Sequence, residues 1–296
     1  MTVSDLPPPP PPPPTVRRPA PNGSEWKDPE RPPLAPFSPE SRWGIGDALI
    51  SFAIFVVTSI ALVGVAILVD ADPLVGFWFP LLLAAPQLTQ GAFTVGVARE
   101  KGAGLDRDFG LRFRPIDLLL GFALLILGFV LAGGTAVLME ELGLETPEAS
   151  VAELIDDASD TSDDPAATGG DDTTGADDGD DTGADLVLDD DDGGVTVWIV
   201  IVAIFAATAV PVIEELIYRG LWWSALLKRG LHEGWALVIT SLAFAAAHLE
   251  PGRFPVLFVL GLALGLGRML TGRIGASIVT HACINGIAMA VLLATL

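Results

Sequence analysis

The sequence predicts an all-α, polytopic membrane bundle of about seven transmembrane helices. Three observations carry that expectation. Hydrophobic residues make up 51% of the 296-residue chain and charged residues only 18%, less charge than soluble domains of this size usually carry. The apolar residues fall in blocks that start at residues 48, 74, 116, 195, 235, 254 and 274, and about 20 apolar residues suffice to cross the hydrocarbon as a helix. The formal net charge of −21 is confined to one loop: residues 140–193 hold 21 Asp and Glu and no Lys or Arg. The remaining acidic and basic residues balance, so no basic nucleic-acid surface is expected and nucleic acid is excluded as a partner.

Residues 1–43 open MTVSDLPPPPPPPP, with neither an early basic region nor an apolar core, so no signal peptide is expected there. The proline run favours polyproline II and cannot build a core, so 1–43 reads as a disordered proline-rich tail. Three spans follow within 44–139: Ala48–Val69, Leu74–Val97 and Ile116–Leu138. The second carries Gln87, Thr89 and Gln90 in its interior, and such groups usually face other helices rather than lipid. The Asp-, Gly- and Thr-rich stretch 140–194 has too few apolar residues to fold alone and reads as a disordered loop. Residues 195–296 supply four further spans. Of these, the fifth and sixth blocks are the least regular, and Gly261, Gly265 and Gly267 suit close helix approach. Only Lys27, Lys101 and Lys228 occur as lysines, a composition that suits a salt-adapted or a GC-rich source.

The loops alternate between Arg/Lys-rich and Arg/Lys-poor, beginning rich with Arg17, Arg18, Lys27, Arg31 and Arg42. The positive-inside rule therefore expects a multi-pass cell-membrane protein with a cytoplasmic N-terminus and an extracellular C-terminus.

Ionisable groups inside a span are costly and point to function. Block four carries Glu214, Glu215 and Arg219. Glu215 and Arg219 are four apart and share a helix face, so they can pair. Tyr218 is four beyond Glu214 and within reach of it, and Pro211 can bend the helix just ahead. Block five ends with Phe244 and His248 on one face, and block seven places His281 and Asn285 on one face. Each feature has a plain alternative: a solvated interfacial Glu, a packed His, an interhelical hydrogen bond. Together, a carboxylate and an imidazole can hold and deprotonate water, while a second His and an Asn can donate to a developing oxyanion. That set suffices for amide hydrolysis. The single Cys283 lies on a different part of the helix surface and reads as a small buried side chain. Zinc is an alternative, with Glu214, His248 and His281 as its ligands, although no HExxH is present.

Three short motifs resemble those of the CPBP intramembrane proteases, which include CAAX prenyl endopeptidases and bacteriocin-processing or self-immunity proteins. EExxxR appears as Glu214 to Arg219, FxxxH as Phe244 to His248, and HxxxN as His281 to Asn285. The resemblance covers about 195–296. It implies that Glu214 activates water with help from His248, that His281 and Asn285 stabilise the oxyanion, and that Arg219 braces the site through Glu215. Tyr218 and Phe244 are expected as supporting residues. It further implies an endopeptidase without a required cofactor, acting within the lipid bilayer on a membrane-associated protein or peptide, prenylated in the CAAX case. Two other classes stay open on the residues: a transporter, which would show paired broken helices in both halves, and a non-catalytic binding or self-immunity protein.

Overall fold

The computed structural model describes residues 41–71, 77–144 and 193–295. The proline-rich tail up to residue 40 and the acidic stretch 145–192 lie outside the described residues.

The described chain is helical. Long helices α1 (Ile45–Leu68) and α2 (Trp78–Lys101) are followed by a single turn, α3 (Leu105–Asp108), and by α4 (Ile116–Glu141). The fourth apolar block forms α5 (Gly193–Glu215), which runs on through a π-helical segment (Leu216–Trp222) into α6 (Trp223–Lys228). Then come α7 (Glu233–Ala247), a 3₁₀ turn (Pro251–Arg253), α8 (Phe254–Thr271) and α9 (Gly275–Thr295). Among the described residues six helical stretches are long and apolar enough to cross a membrane, the longest being the 32-residue Val197–Lys228.

Outward faces confirm the solvent these helices meet. Ile60, Leu119, Ile126 and Val130 are each about two-thirds exposed, while Glu215, Arg219, Thr240 and Thr280 are fully buried. Apolar outside and polar inside is the pattern of a bundle whose surroundings are hydrocarbon. The chain is thus a multi-pass membrane protein.

The fifth block departs from the expected seven spans. It forms only the 15-residue helix α7, about 22 Å at 1.5 Å per residue, against a hydrocarbon core of about 30 Å. Both ends have local causes. At the start, His232 caps the helix by accepting from the Gly234 N–H. At the end, His248 is the C-cap and Leu249 takes a left-handed conformation with φ of 56°. Pro251 follows, and a proline disfavours helix in the residue before it.

Packing sets these elements round the site. Helix α8 lies against α4 and α7, α9 packs on α5, α4 and α8, and α2 lies against both α1 and α5. The glycines of α8 make the close approaches possible. A Cβ at Gly261 would sit 3.0 Å from Ser241 Cβ and 3.1 Å from its Cα, so α7 and α8 touch there backbone to backbone. Trp43, just ahead of α1, is almost fully buried and sits edge-on to Phe109 at 5.4 Å. Lys228 Nζ lies 4.6 Å from the Trp43 ring centroid and donates to the Ser41 and Trp43 carbonyls. These contacts clamp the far end of the 32-residue stretch.

Candidate active site

The site is built on α5 and the π-helical segment that follows it. A π-helix accommodates an extra residue per turn and is frequent at functional positions. Here it buries six consecutive residues, Leu216 to Leu221. It directly follows Glu214 and Glu215, which both enter the bundle interior: Glu215 is fully buried and Glu214 is 8% exposed.

Glu215 is the structural anchor. Its Oε1 accepts from Arg219 Nη1 at 2.9 Å and pairs with His281 Nδ1 at 2.9 Å. Arg219 also donates through Nη2 to the Gly261 carbonyl at 2.8 Å, which joins the π-helical segment to the thinned face of α8. Its guanidinium lies 4.8 Å from the Phe244 ring centroid, a cation–π arrangement. Phe244 in turn is edge-on to Tyr218, His248 and His281, with centroids 5.6, 4.8 and 5.6 Å away. The aromatic ring therefore spaces the two imidazoles.

Both histidines are oriented by their Nδ1 atoms. His248 Nδ1 lies 2.8 Å from the Phe244 carbonyl oxygen, which can only accept, so Nδ1 carries the proton and Nε2 is left as the acceptor. For His281, an ionised Glu215 accepts from Nδ1 in the same way, and Nε2 faces Glu214 Oε2 at 3.8 Å. A hydrogen bond at one ring nitrogen that fixes orientation and tautomer is how functional imidazoles are held.

Glu214 has a partner that the sequence reading did not supply. Gln87 Nε2 of α2 donates to Glu214 Oε1 at 3.0 Å. Gln87 was expected to face other helices, but its position in mid-span carried no hint of which side chain it meets. Tyr218 packs on Phe244 rather than hydrogen-bonding to Glu214 among the described residues. Asn285 Nδ2 donates to the Ala206 carbonyl of α5 at 2.9 Å, so one of its N–H groups ties α9 to α5 and the other remains available. Cys283 is half-buried and free.

Two cavities meet at Glu214 and His248. One, of about 100 Å³, lies on the α1–α2 side against Phe52, Phe55, Gln87, Gln90 and Tyr218. The other, of about 170 Å³, lies on the α8–α9 side among Leu257, Leu260, Leu264, Ile284, His281 and Asn285. Glu214 and His248 line both. The structure thus brings Glu214, Glu215, Arg219, Phe244, His248, His281 and Asn285 into one neighbourhood. The zinc alternative fits less well. Among the described residues no three His, Cys, Asp or Glu side chains converge as a metal-ligand set.

The fold and site together define a class: an all-α membrane bundle with a buried carboxylate–histidine cluster at its centre. Residues 196–287 match a family model described as Type II CAAX prenyl endopeptidase Rce1-like. All three motifs lie inside that segment, so a CAAX-protease-like domain occupies this part of the chain. Comparison with curated proteins and with solved structures finds no match.

Proposed function

We propose that this chain is an intramembrane endopeptidase that uses Glu214 as general base on a water molecule, without a required metal. The observation that carries the reading is the position of Glu214. It is a buried carboxylate that borders two cavities together with the half-buried His248 and lies 3.8 Å from Nε2 of the buried His281, and the Nδ1 atoms of both histidines are already engaged. The match of 196–287 to a CAAX endopeptidase-like model supports it.

The chemistry follows from the donors and acceptors present. A scissile carbonyl enters the α8–α9 cavity, whose wall of Leu257, Leu260, Leu264 and Ile284 suits a hydrophobic side chain or lipid-modified residue. Water between Glu214 and His248 attacks the carbonyl carbon and passes a proton to Glu214. The free N–H of Asn285 donates to the oxyanion, and His281 joins it as a donor when Nε2 also carries a proton. Collapse breaks the C–N bond, and the proton held by Glu214 goes to the leaving amine. Glu215 and Arg219 hold His281 in place and touch no reacting atom. A membrane-associated protein is the substrate in this reading, prenylated where the CAAX likeness extends to specificity. The orientation that suits the loop charges keeps the N-terminus in the cytoplasm and the C-terminus outside.

The test is a comparison of membrane-protein termini by mass spectrometry in cells carrying wild type or Glu214→Gln at equal abundance. General-base removal is expected to lower turnover by about 10²–10⁴-fold. Termini that appear only with intact Glu214 support peptidase action and name substrates. Identical termini in both strains overturn it in favour of a binding role.

A further inference from the structure

The α1–α2 cavity is small and bordered mostly by polar side chains. Four of the side chains around it are hydrogen-bonding groups from three elements: Gln87 and Gln90 of α2, Glu214 of α5 and His248 at the end of α7. Tyr218 adds a hydroxyl. Gln90 is 5% exposed and Tyr218 is 7% exposed, so these groups are removed from bulk solvent and from lipid. Gln87 spends its amide nitrogen on Glu214, which leaves Oε1 as a buried acceptor with no protein partner among the described residues. Buried polar groups of this kind are normally satisfied, by water where protein does not reach. A cavity of about 100 Å³ is large enough for about three waters at ~30 Å³ each, and a polar lining is what retains them.

We infer that this cavity is the hydrated compartment that delivers the hydrolytic water to Glu214, and that Gln87 is a positioning residue which holds the Glu214 carboxylate between the water side and the substrate side. The inference rests on the proposed peptidase reading for the supply role, but not for the hydration itself. The division of labour is physical. Water reaches the general base from the α1–α2 side, where the Gln87 and Gln90 amides border it, while the α8–α9 cavity, which sets Leu257, Leu260, Leu264 and Ile284 beside Arg253, His281 and Asn285, takes the acyl side. Gln87 fixes one carboxylate oxygen through its N–H and leaves Oε2 turned toward His281. A glutamine does this without adding a charge beside Glu214. The compartment is completed by α2, so it depends on helices outside the segment that resembles an endopeptidase.

Two readouts on the full-length protein in lipid vesicles separate the parts. In X-ray hydroxyl-radical footprinting, radicals form from bound water, so buried side chains beside water are labelled. Tyr218 is expected to be labelled at least threefold faster than Phe109, which is fully buried elsewhere in the bundle. The double variant Gln87→Leu/Gln90→Leu is expected to remove that difference, while Glu214→Gln keeps it. Labelling of Tyr218 no faster than Phe109 in wild type overturns the hydrated compartment. The second readout is cleavage of a Glu214-dependent substrate found by terminus profiling. Losing a hydrogen bond to a charged group is worth about 1.5–3 kcal/mol, so Gln87→Leu should lower kcat roughly 10- to 150-fold at unchanged KM. A Leu257→Phe change on the opposite cavity should act on KM instead. Glu214-dependent cleavage whose kcat survives Gln87→Leu overturns the positioning role while the peptidase reading stands. Absence of any Glu214-dependent cleavage sinks the peptidase reading and the supply role with it, and leaves the footprinting result as the measure of hydration.

Discussion

Replacing Arg219 with Met tests whether the buried ion pair is held as a unit. Both side chains of the Glu215–Arg219 pair are fully shielded, at 2.9 Å. Met has about the right length and cannot compensate charge. The change leaves Glu215 in the interior with His281 as its sole partner, and Glu215 Oε2 already lacks one among the described residues. Breaking a buried pair from one side costs about 3–5 kcal/mol, because it strands a charge. For a chain of this size that corresponds to a fall in Tm of roughly 6–20 °C. The informative experiment adds Glu215→Gln to Arg219→Met. The glutamine carbonyl still accepts from His281 Nδ1, and no charge is left to desolvate. The double variant should therefore recover most of the loss, to within about 1–2 kcal/mol of wild type. Thermal unfolding in detergent, followed by circular dichroism, reads all three proteins. A double variant no more stable than Arg219→Met would refute the stranded-charge argument and make Arg219 a packing residue whose contacts to Gly261 and Phe244 dominate.

Two further changes separate structural from chemical roles. Asn285→Leu removes a hydrogen bond to the Ala206 carbonyl; interhelical bonds of this kind average only about 0.6 kcal/mol, so Tm should move by a few degrees at most, while loss of an oxyanion donor should lower the rate of Glu214-dependent cleavage by about 10²-fold or more. Gly261→Ala places a methyl group 3.0 Å from Ser241 Cβ and 3.1 Å from its Cα; the helices must part, at about 1–3 kcal/mol, and since Gly261 also carries the carbonyl that accepts from Arg219, the expected result is a lower Tm together with weaker activity, measured by unfolding and by terminus profiling.

Much of the bundle was legible because hydropathy in lipid is a coarse, long-range signal. A block of about 20 apolar residues has few ways to satisfy its backbone except as a helix, so six of the seven blocks became spanning-length helices near their expected positions. The fifth block, residues 235 onward, did not, for a local reason. Its apolar run is interrupted by His248, a left-handed Leu249 and Pro251, and helix length is decided by such breakers rather than by mean hydropathy. The π-helical turn at Leu216–Trp222 left no trace in the periodicity either. Four-residue spacing still brought Glu215 to Arg219, so the pairing was readable although the winding was not.

Contacts between distant helices were the harder part. Spacing on one helix says which face a residue shares, but not which carbonyl or amide waits across the gap. His281 meets both carboxylates, a contact that its spacing from Asn285 within α9 does not reveal. Gln87 shows the same limit from the other side. A glutamine in mid-span must find a polar partner, because hydrocarbon offers none, and the polar interior here is the carboxylate cluster of α5. Helix α2 packs against α5, which puts Gln87 within reach of Glu214. Helices that contribute no motif therefore still shape the chemistry: α2 decides which oxygen of Glu214 is occupied, and hence which one faces His281.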